Sequence, residues 1–275
     1  MKNEIIFLGT GTSTGVPIIG CECQVCTSTN QKNNRTRTSI LLKTAKNNQI
    51  VIDTTPDLRT QLLRENINHL DAAIITHDHA DHLHGIDDLR PFSFFPAQRE
   101  FPVYCSSYHA QTITNRFDYI FKRNKIFNKN NPYIGGGLPL LNLQTINLES
   151  TQDQVSNEEF YFFLLPHGNT KTLGFMHGTL AYLIDCQEIP IEVLSFLKAQ
   201  SIEILIIDCL QKKSHPSHLD QTKCFDYIKQ IGPKNGILIH MNHDLDHEEL
   251  TLDASKYFNF PVIPSYDGMR SYYSA

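Results

Sequence analysis

The segment His77-Asp78-His79-Ala80-Asp81-His82 packs three imidazoles and the carboxylate of Asp81 into six residues, directly after the apolar run Asp71-Ala72-Ala73-Ile74-Ile75-Thr76. Groups this crowded are costly to hold together unless a cation organises them. Neutral imidazole nitrogens with a carboxylate oxygen suit zinc, manganese or iron, and a ligand-dense loop at a strand end can present them to two ions at once. The chemistry such a site offers is hydrolysis assisted by metal ions.

One loop cannot supply a whole dinuclear site, so further ligands are expected downstream on other strand ends, where a scaffold holds them rigidly. Phe160-Tyr161-Phe162-Phe163-Leu164-Leu165 reads as a buried strand and is followed by Pro166 and His167. Thr179-Leu180-Ala181-Tyr182-Leu183-Ile184 delivers Asp185, and Gly236-Ile237-Leu238-Ile239 delivers His240. Each is a short β-rich run that stops at a ligand-type residue, the pattern of loops gathered along one edge of a sheet.

A second constellation is softer. Cys21-Glu22-Cys23-Gln24-Val25-Cys26 places three thiols within six residues, a spacing that suits tetrahedral zinc with one position left over. His243, three residues past His240, can supply the fourth ligand. The four other cysteines, Cys105, Cys186, Cys209 and Cys224, lie in apolar or helical patterns and read as reduced core thiols.

The order His-x-His-x-Asp-His, then His, Asp and His, resembles the metallo-β-lactamase superfamily across nearly the whole chain. The resemblance implies an α/β fold, an αββα sandwich of two mixed β-sheets flanked by helices. It also implies that His77, His79 and His167 bind one metal, that Asp81, His82 and His240 bind the other, and that Asp185 bridges them. Asp53, in Ile50-Val51-Ile52-Asp53-Thr54-Thr55-Pro56, falls where the superfamily places a supporting Asp, and is read as orienting a ligand. The cysteine cluster with a histidine is the pattern of the PhnP-like phosphodiesterases, the branch named for an enzyme of the carbon-phosphorus lyase pathway, where such a zinc staples the N-terminal loop beside the active site. Gly9-Thr10-Gly11-Thr12-Ser13-Thr14-Gly15-Val16-Pro17 and Tyr266-Asp267-Gly268-Met269 also resemble that branch. No helix-opening phosphate fingerprint follows those glycines, so a nucleotide-binding P-loop is not supported.

The same resemblance assigns the proton donor. His218 and Asp220 resemble the His-x-Asp pair that follows the Asp-Cys strand end, here Asp208-Cys209, in PhnP-like enzymes, where the histidine is proposed as general acid; His215 competes for the role. The catalytic set is therefore expected to be His218, Asp81 and Asp220, acting with two divalent ions, zinc or manganese, beside one structural zinc. The expected activity is hydrolysis of small, cyclic phosphodiesters. The alternatives are tRNA 3'-end processing, for which His167 and Asp185 stand too close to hold a tRNA-grasping arm, and thioesterase or lactamase chemistry on the same ligands.

These residues need elements to position them. Strands are expected near 4–8, 39–44 and 49–53, with Lys46-Asn47-Asn48 turning between the last two. Helices are expected near 57–66, 107–124, 190–199, 218–231 and 247–257. The third begins at Pro190 and buries Ile191, Leu194 and Leu197. Between residues 105 and 160, Phe117, Tyr119, Ile120 and Phe121 read as core packing, and Gly135-Gly136-Gly137 before Leu138-Pro139 as a mobile loop.

With 275 residues the chain is expected to form one domain spanning 1–275. A formal charge of −5 and an isoelectric point near 6.2 give no basic surface for a long polyanion, so the expected partner is a small phosphodiester rather than nucleic acid. Arg35 and Arg37 in Asn34-Arg35-Thr36-Arg37-Thr38 read as two exposed arginines of a solvated loop, or as phosphate contacts. No leader-like or membrane-spanning stretch is visible, and reduced thiols point to a cytoplasmic setting. Relatives by resemblance are often dimeric, which suggests a homodimer but leaves the oligomeric state open.

Overall fold

A computed structural model describes residues 2–95, 98–127, 137–148 and 152–275. Along the chain the strands are β1 (Asn3–Gly9), β2 (Ser39–Lys43), β3 (Gln49–Ile52), β4 (Ala72–Ile75), β5 (Phe101–Ser106), β6 (Leu141–Ile146), β7 (Gln152–Val155), β8 (Glu158–His167), β9 (Thr170–His177), β10 (Leu180–Leu183), β11 (Ile204–Asp208), β12 (Asn235–Ile239), β13 (Val262–Pro264) and β14 (Arg270–Tyr273). They form two seven-stranded sheets, ordered β14-β1-β2-β3-β4-β5-β6 and β13-β12-β11-β10-β9-β8-β7. Both are mixed. The first is antiparallel from β14 to β3 and parallel from β3 to β6, and the second is antiparallel from β7 to β10 and parallel from β10 to β13.

Burial on both faces explains why these strands read as continuous apolar runs. Along β11, Ile204 and Ile206 point between the sheets, while Leu205 and Ile207 point to the outer helices. β4 divides likewise, with Ile74 inside and Ile75 outside. The outer face of the first sheet is covered by α1 (Leu58–Arg64), α3 (Ser107–Arg116) and α4 (Asp118–Phe121), with the single turns α2 (Ala80–Leu83) and α5 (Arg123–Ile126) beside them. α6 (Ile191–Lys198), α7 (Gln221–Ile231) and α8 (His247–Tyr257) cover the second. The layers are thus helix, sheet, sheet, helix, the expected αββα sandwich. Among the described residues no helix is long and apolar enough to cross a membrane.

Several local expectations change. The helix expected over 107–124 is broken at Phe117, which caps α3 and starts α4. The preceding Thr112-Ile113-Thr114-Asn115 is made of poor helix formers, and the break lets both Phe117 and Ile120 reach the core. Tyr119 and Phe121 pack partly buried against them, so these aromatics do serve as core packing. Pro190 is extended (φ −54°, ψ 145°) and caps α6 from outside. The buried stripe is accordingly Val193, Leu194 and Leu197, while Ile191 lies round the helix from it at 73% exposed. α7 starts at Gln221 rather than at 218, because Asp220 caps it with a hydrogen bond from the Lys223 N–H at 3.0 Å. Gly135 and Gly136 lie outside the described residues.

Arg35 is not exposed. At 1% exposure it donates to the carbonyls of Asn242 (2.9 Å) and Leu245 (2.7 Å) and to Asn33 Oδ1 (3.1 Å), which ties the segment after the cysteines to the loop before α8. Arg37 is half-buried on Asp57 at 3.1 Å and donates to the Ser13 carbonyl. Neither is a solvated loop residue, because each has a nearby carbonyl or carboxylate acceptor that fixes its guanidinium.

Close packing is tightest where the ligand loop meets the β3–α1 connection. The Gly85 N–H donates to the Thr54 carbonyl at 2.8 Å, and a Cβ on Gly85 would lie 1.9 Å from the Thr55 carbonyl oxygen. Gly85→Ala must therefore push the two segments apart. Urea unfolding of the metal-free variant is expected to show a loss of about 1–3 kcal/mol, the usual cost of overpacking; an unchanged midpoint would show that this contact yields freely.

Candidate metal-binding active site

The parallel strands β3, β4, β10, β11 and β12 end along one edge of the sandwich, and each end carries a ligand-type residue or is followed by one. Asp53 follows β3, His77 follows β4, Asp185 follows β10, Asp208 ends β11, His240 follows β12, and His167 ends β8. Asp53 (φ 67°), Asp185 (φ 46°) and His240 (φ 62°) all adopt left-handed backbone, which non-glycine residues seldom do outside turns. Strained backbone gathered at one edge turns these side chains off their strands and toward a common point.

The point of convergence is Asp185. Its Oδ2 lies 3.3 Å from His82 Nε2, 3.7 Å from His77 Nε2 and 3.8 Å from His167 Nε2, and its Oδ1 lies 3.2 Å from His240 Nδ1. Asp81 Oδ2 is 3.2 Å from His82 Nε2, and His79 Nδ1 is 3.2 Å from His167 Nε2. Two groups able to hold an ion result, one of His77, His79 and His167 and one of Asp81, His82, Asp185 and His240. The structure brings together all the side chains that the resemblance assigned to a dinuclear centre.

The electrostatics fit a cation. Burial pushes His77 well below the ordinary histidine range. Burial also opposes charge on His82, but Asp185, Asp81 and Asp53 around it hold it well above that range. For Asp185, burial favours the neutral acid, yet His240 and His82 keep it well below the ordinary carboxylate range. His77 Nε2, His82 Nε2 and Asp185 Oδ1 are buried and aimed into the cluster with no aligned hydrogen-bond partner. Nitrogen and carboxylate donors left unpaired in a dry site are suited to divalent ions.

Several of these groups are held by a further partner. Asp53 accepts from the Thr76 N–H (2.7 Å) and hydroxyl and lies 2.7 Å from His82 Nδ1, the supporting role expected of it. Thr76 Oγ1 stands 3.1 Å from His77 Nδ1, and Thr38 Oγ1 stands 3.0 Å from His240 Nδ1. His218 Nδ1 lies 2.9 Å from Asp208 Oδ2, and the ring faces the His167 and Asp185 ligand atoms. This corrects the expected pairing: the carboxylate behind His218 is Asp208, and Asp220 is occupied in capping α7. Asp208 ends an apolar run in the same way as Asp185 and His240, so the signal that would have found it was present. His215 lies farther out, its Nδ1 accepting from the Ser217 N–H at 3.4 Å.

The cysteine cluster assembles as expected at the N-terminal loop. Cys21, Cys23 and Cys26 Sγ lie 3.3, 3.5 and 3.6 Å from His243 Nδ1. Zinc–sulfur and zinc–nitrogen bonds of ordinary length at a tetrahedral angle give a separation of about 3.5 Å. The Cys26 N–H donates to Cys23 Sγ and lowers that thiol to about 6, so one thiolate is ready at neutral pH. The other cysteines, Cys105, Cys186, Cys209 and Cys224, are free and buried.

Comparison with known proteins agrees with this geometry. Residues 48–241 match the family model for a beta-lactamase superfamily domain. A solved structure described as a new diphosphatase from the PhnP family is 30% identical, with a TM-score of 0.86 and coverage of 99% of this chain and 98% of that one. Human tRNase Z, short form, is similar in fold at 15% identity and a TM-score of 0.64, covering 98% of both chains. A curated relative named octanoyltransferase, from Porphyromonas gingivalis, is 37% identical over 267 residues, 97% of this chain and 51% of that protein. The chain thus spans about half the length of that relative.

Asp53 provides a direct test of the site. Asp53→Ala removes the acceptor that contacts His82 directly, and reaches the other group only indirectly, through Thr76 beside His77. Zinc titration of the metal-free protein is expected to show the Asp81, His82, Asp185 and His240 group weakened about 10- to 100-fold, as for other partners of metal ligands, with the cysteine cluster still loaded. Unchanged affinity there would remove Asp53 from the site.

Proposed function

The chain belongs to the β-lactamase superfamily as a metal-dependent hydrolase of PhnP-like type, and from that premise we propose that it hydrolyses small phosphodiesters, cyclic ones among them, with His218 as general acid. The observation that carries this reading is the Asp208–His218 pair, 2.9 Å apart, beside a cluster of metal-ligand type.

In this reading His77, His79 and His167 would hold one divalent ion, Asp81, His82 and His240 would hold the other, and Asp185 would be shared between the two groups. When bound, two such ions, zinc or manganese, supply Lewis acidity toward phosphoryl oxygens and lower the pKa of water. Cys21, Cys23, Cys26 and His243 would hold a structural zinc, tying the N-terminal loop to the loop that also carries His240. The protein's own groups supply the proton. His218 Nδ1–H donates to Asp208, which leaves Nε2 turned to the cleft. Burial opposes charge on the ring, but Asp208 more than offsets it and raises the pKa to about 9. A protonated imidazole held in this way can deliver its proton to a departing alkoxide, a poor leaving group that phosphodiester cleavage must release.

A diphosphate is the second reading, favoured by the description of the 30% identical structure as a diphosphatase. Its phosphate leaving group is less basic and calls less on His218. tRNA 3'-end processing is disfavoured, since β9, β10 and their turns fill the interval between His167 and Asp185 where an arm would stand. An acyl substrate is suggested by the octanoyltransferase name alone, which belongs to a protein about twice as long.

Leaving-group chemistry separates these readings. His218→Ala is expected to lose about 10²- to 10⁴-fold on a ribose cyclic phosphate and far less on a p-nitrophenyl phosphodiester, with metal content unchanged. Equal losses on both would make His218 a positioning group, and wild-type turnover far faster on diphosphates than on phosphodiesters, with only a small His218→Ala loss there, would favour the second reading. Asp208→Asn removes the charge that raises His218. Because a general acid must be protonated, the alkaline limb of the kcat pH profile should move to lower pH. A limb that stays in place would exclude the Asp208–His218 pair as its source.

A further inference from the structure

His109 is a buried histidine that the proposed chemistry does not use. It lies on α3, outside both ligand groups, and is 1% exposed. Its two ring nitrogens face different parts of the site. Nδ1 lies 3.0 Å from Oδ1 of Asp78, the residue between His77 and His79. Nε2 donates to the Lys171 carbonyl at 2.7 Å. Lys171 belongs to β9 and stands opposite Pro166 in the β8–β9 hairpin, one pair from the His167–Thr170 pair that closes it. The ring therefore touches both segments that supply the first ligand group, and stands edge-on to the His77 ring with centroids 6.4 Å apart.

We infer that His109 is a positioning residue that straps the His77–His79 loop to the hairpin end carrying His167, and so sets the separation of these three imidazoles. The inference rests on reading His77, His79 and His167 as one metal-ligand group. The need for such a strap is local. His79 is the exposed member of the group; it approaches His167 at 3.2 Å and stands edge-on to the His77 ring, with no further hydrogen-bonded partner behind it among the described residues. Asp78 is gripped from the same helix a second time, because Arg116 donates to its carbonyl and lies 3.6 Å from its carboxylate. A histidine serving only to fill space would not need a polar partner at each ring nitrogen, both on ligand-bearing segments. Partners of this kind orient ligands and are worth 10- to 100-fold in metal affinity.

The test is zinc loading of metal-free protein against graded chelator, with the cysteine cluster followed separately by its thiolate–cobalt absorption. Wild type should load both active-site ions. His109→Ala should weaken one of them about 10- to 100-fold and leave the cysteine cluster unchanged. His79→Ala added to His109→Ala should cost little more, whereas His79→Ala added to Asp53→Ala should cost its full amount, because only the first pair acts on the same ion. Should His109→Ala not fold, His109→Gln, whose single amide group cannot span both partners, and Asp78→Ala, which removes the carboxylate, should show the same selective loss. Unchanged loading in folded variants, or an equal loss at all three sites, would overturn the inference. Absence of active-site loading in the wild type would overturn the metal reading itself, which is a separate result.

Discussion

Asp185 imposes the constraint from which much of the structure follows. A carboxylate held at 1% exposure among four imidazoles cannot be left uncompensated, because an ion in a dry interior costs several kcal/mol unless opposite charge and hydrogen bonds surround it. The fold answers by bringing strand ends from both sheets to that carboxylate. It also holds Asp53, Asp185 and His240 in left-handed backbone, which a single extended strand end could not provide. A divalent cation relieves the same crowding more fully than the proton that the carboxylates hold on His82.

The side chains behind the ligands are as ordered as the ligands. Asp53 serves His82 while tied to Thr76, Thr38 serves His240, and Asp208 serves His218. These partners come from other strand ends or loops, so the centre is a lattice of crossing hydrogen bonds rather than a set of independent side chains. The cysteine cluster enters the same lattice. His240 and His243 share one short loop, and Arg35 hydrogen-bonds the carbonyl of Asn242 between them. Order in the N-terminal loop and order in the ligand at His240 are therefore mechanically linked.

The proposed reaction depends on this arrangement in a specific way. Metal ligands alone suit many hydrolytic reactions, and the pair that distinguishes phosphodiester cleavage is His218 on Asp208. That pair forms because the loop after β11 turns back, with the Leu210 N–H donating to the Leu219 carbonyl, and returns His218 to the end of its own strand.

Much of the molecule is legible in the chain itself. Short continuous apolar runs that stop at His77, His167, Asp185 and His240 determine both the strands and the ligand-bearing edge, since run length and residue type are local properties of the sequence. The cysteine spacing is legible for the same reason. What the tertiary structure decided is partnership. Asp208 rather than Asp220 stands behind His218, Arg35 is buried instead of solvated, Ile191 faces solvent, and His109 spans two segments. Each depends on which distant strand ends and helices meet. A hydrogen bond or a buried face is completed by a group tens to hundreds of residues away, and local spacing carries no record of it.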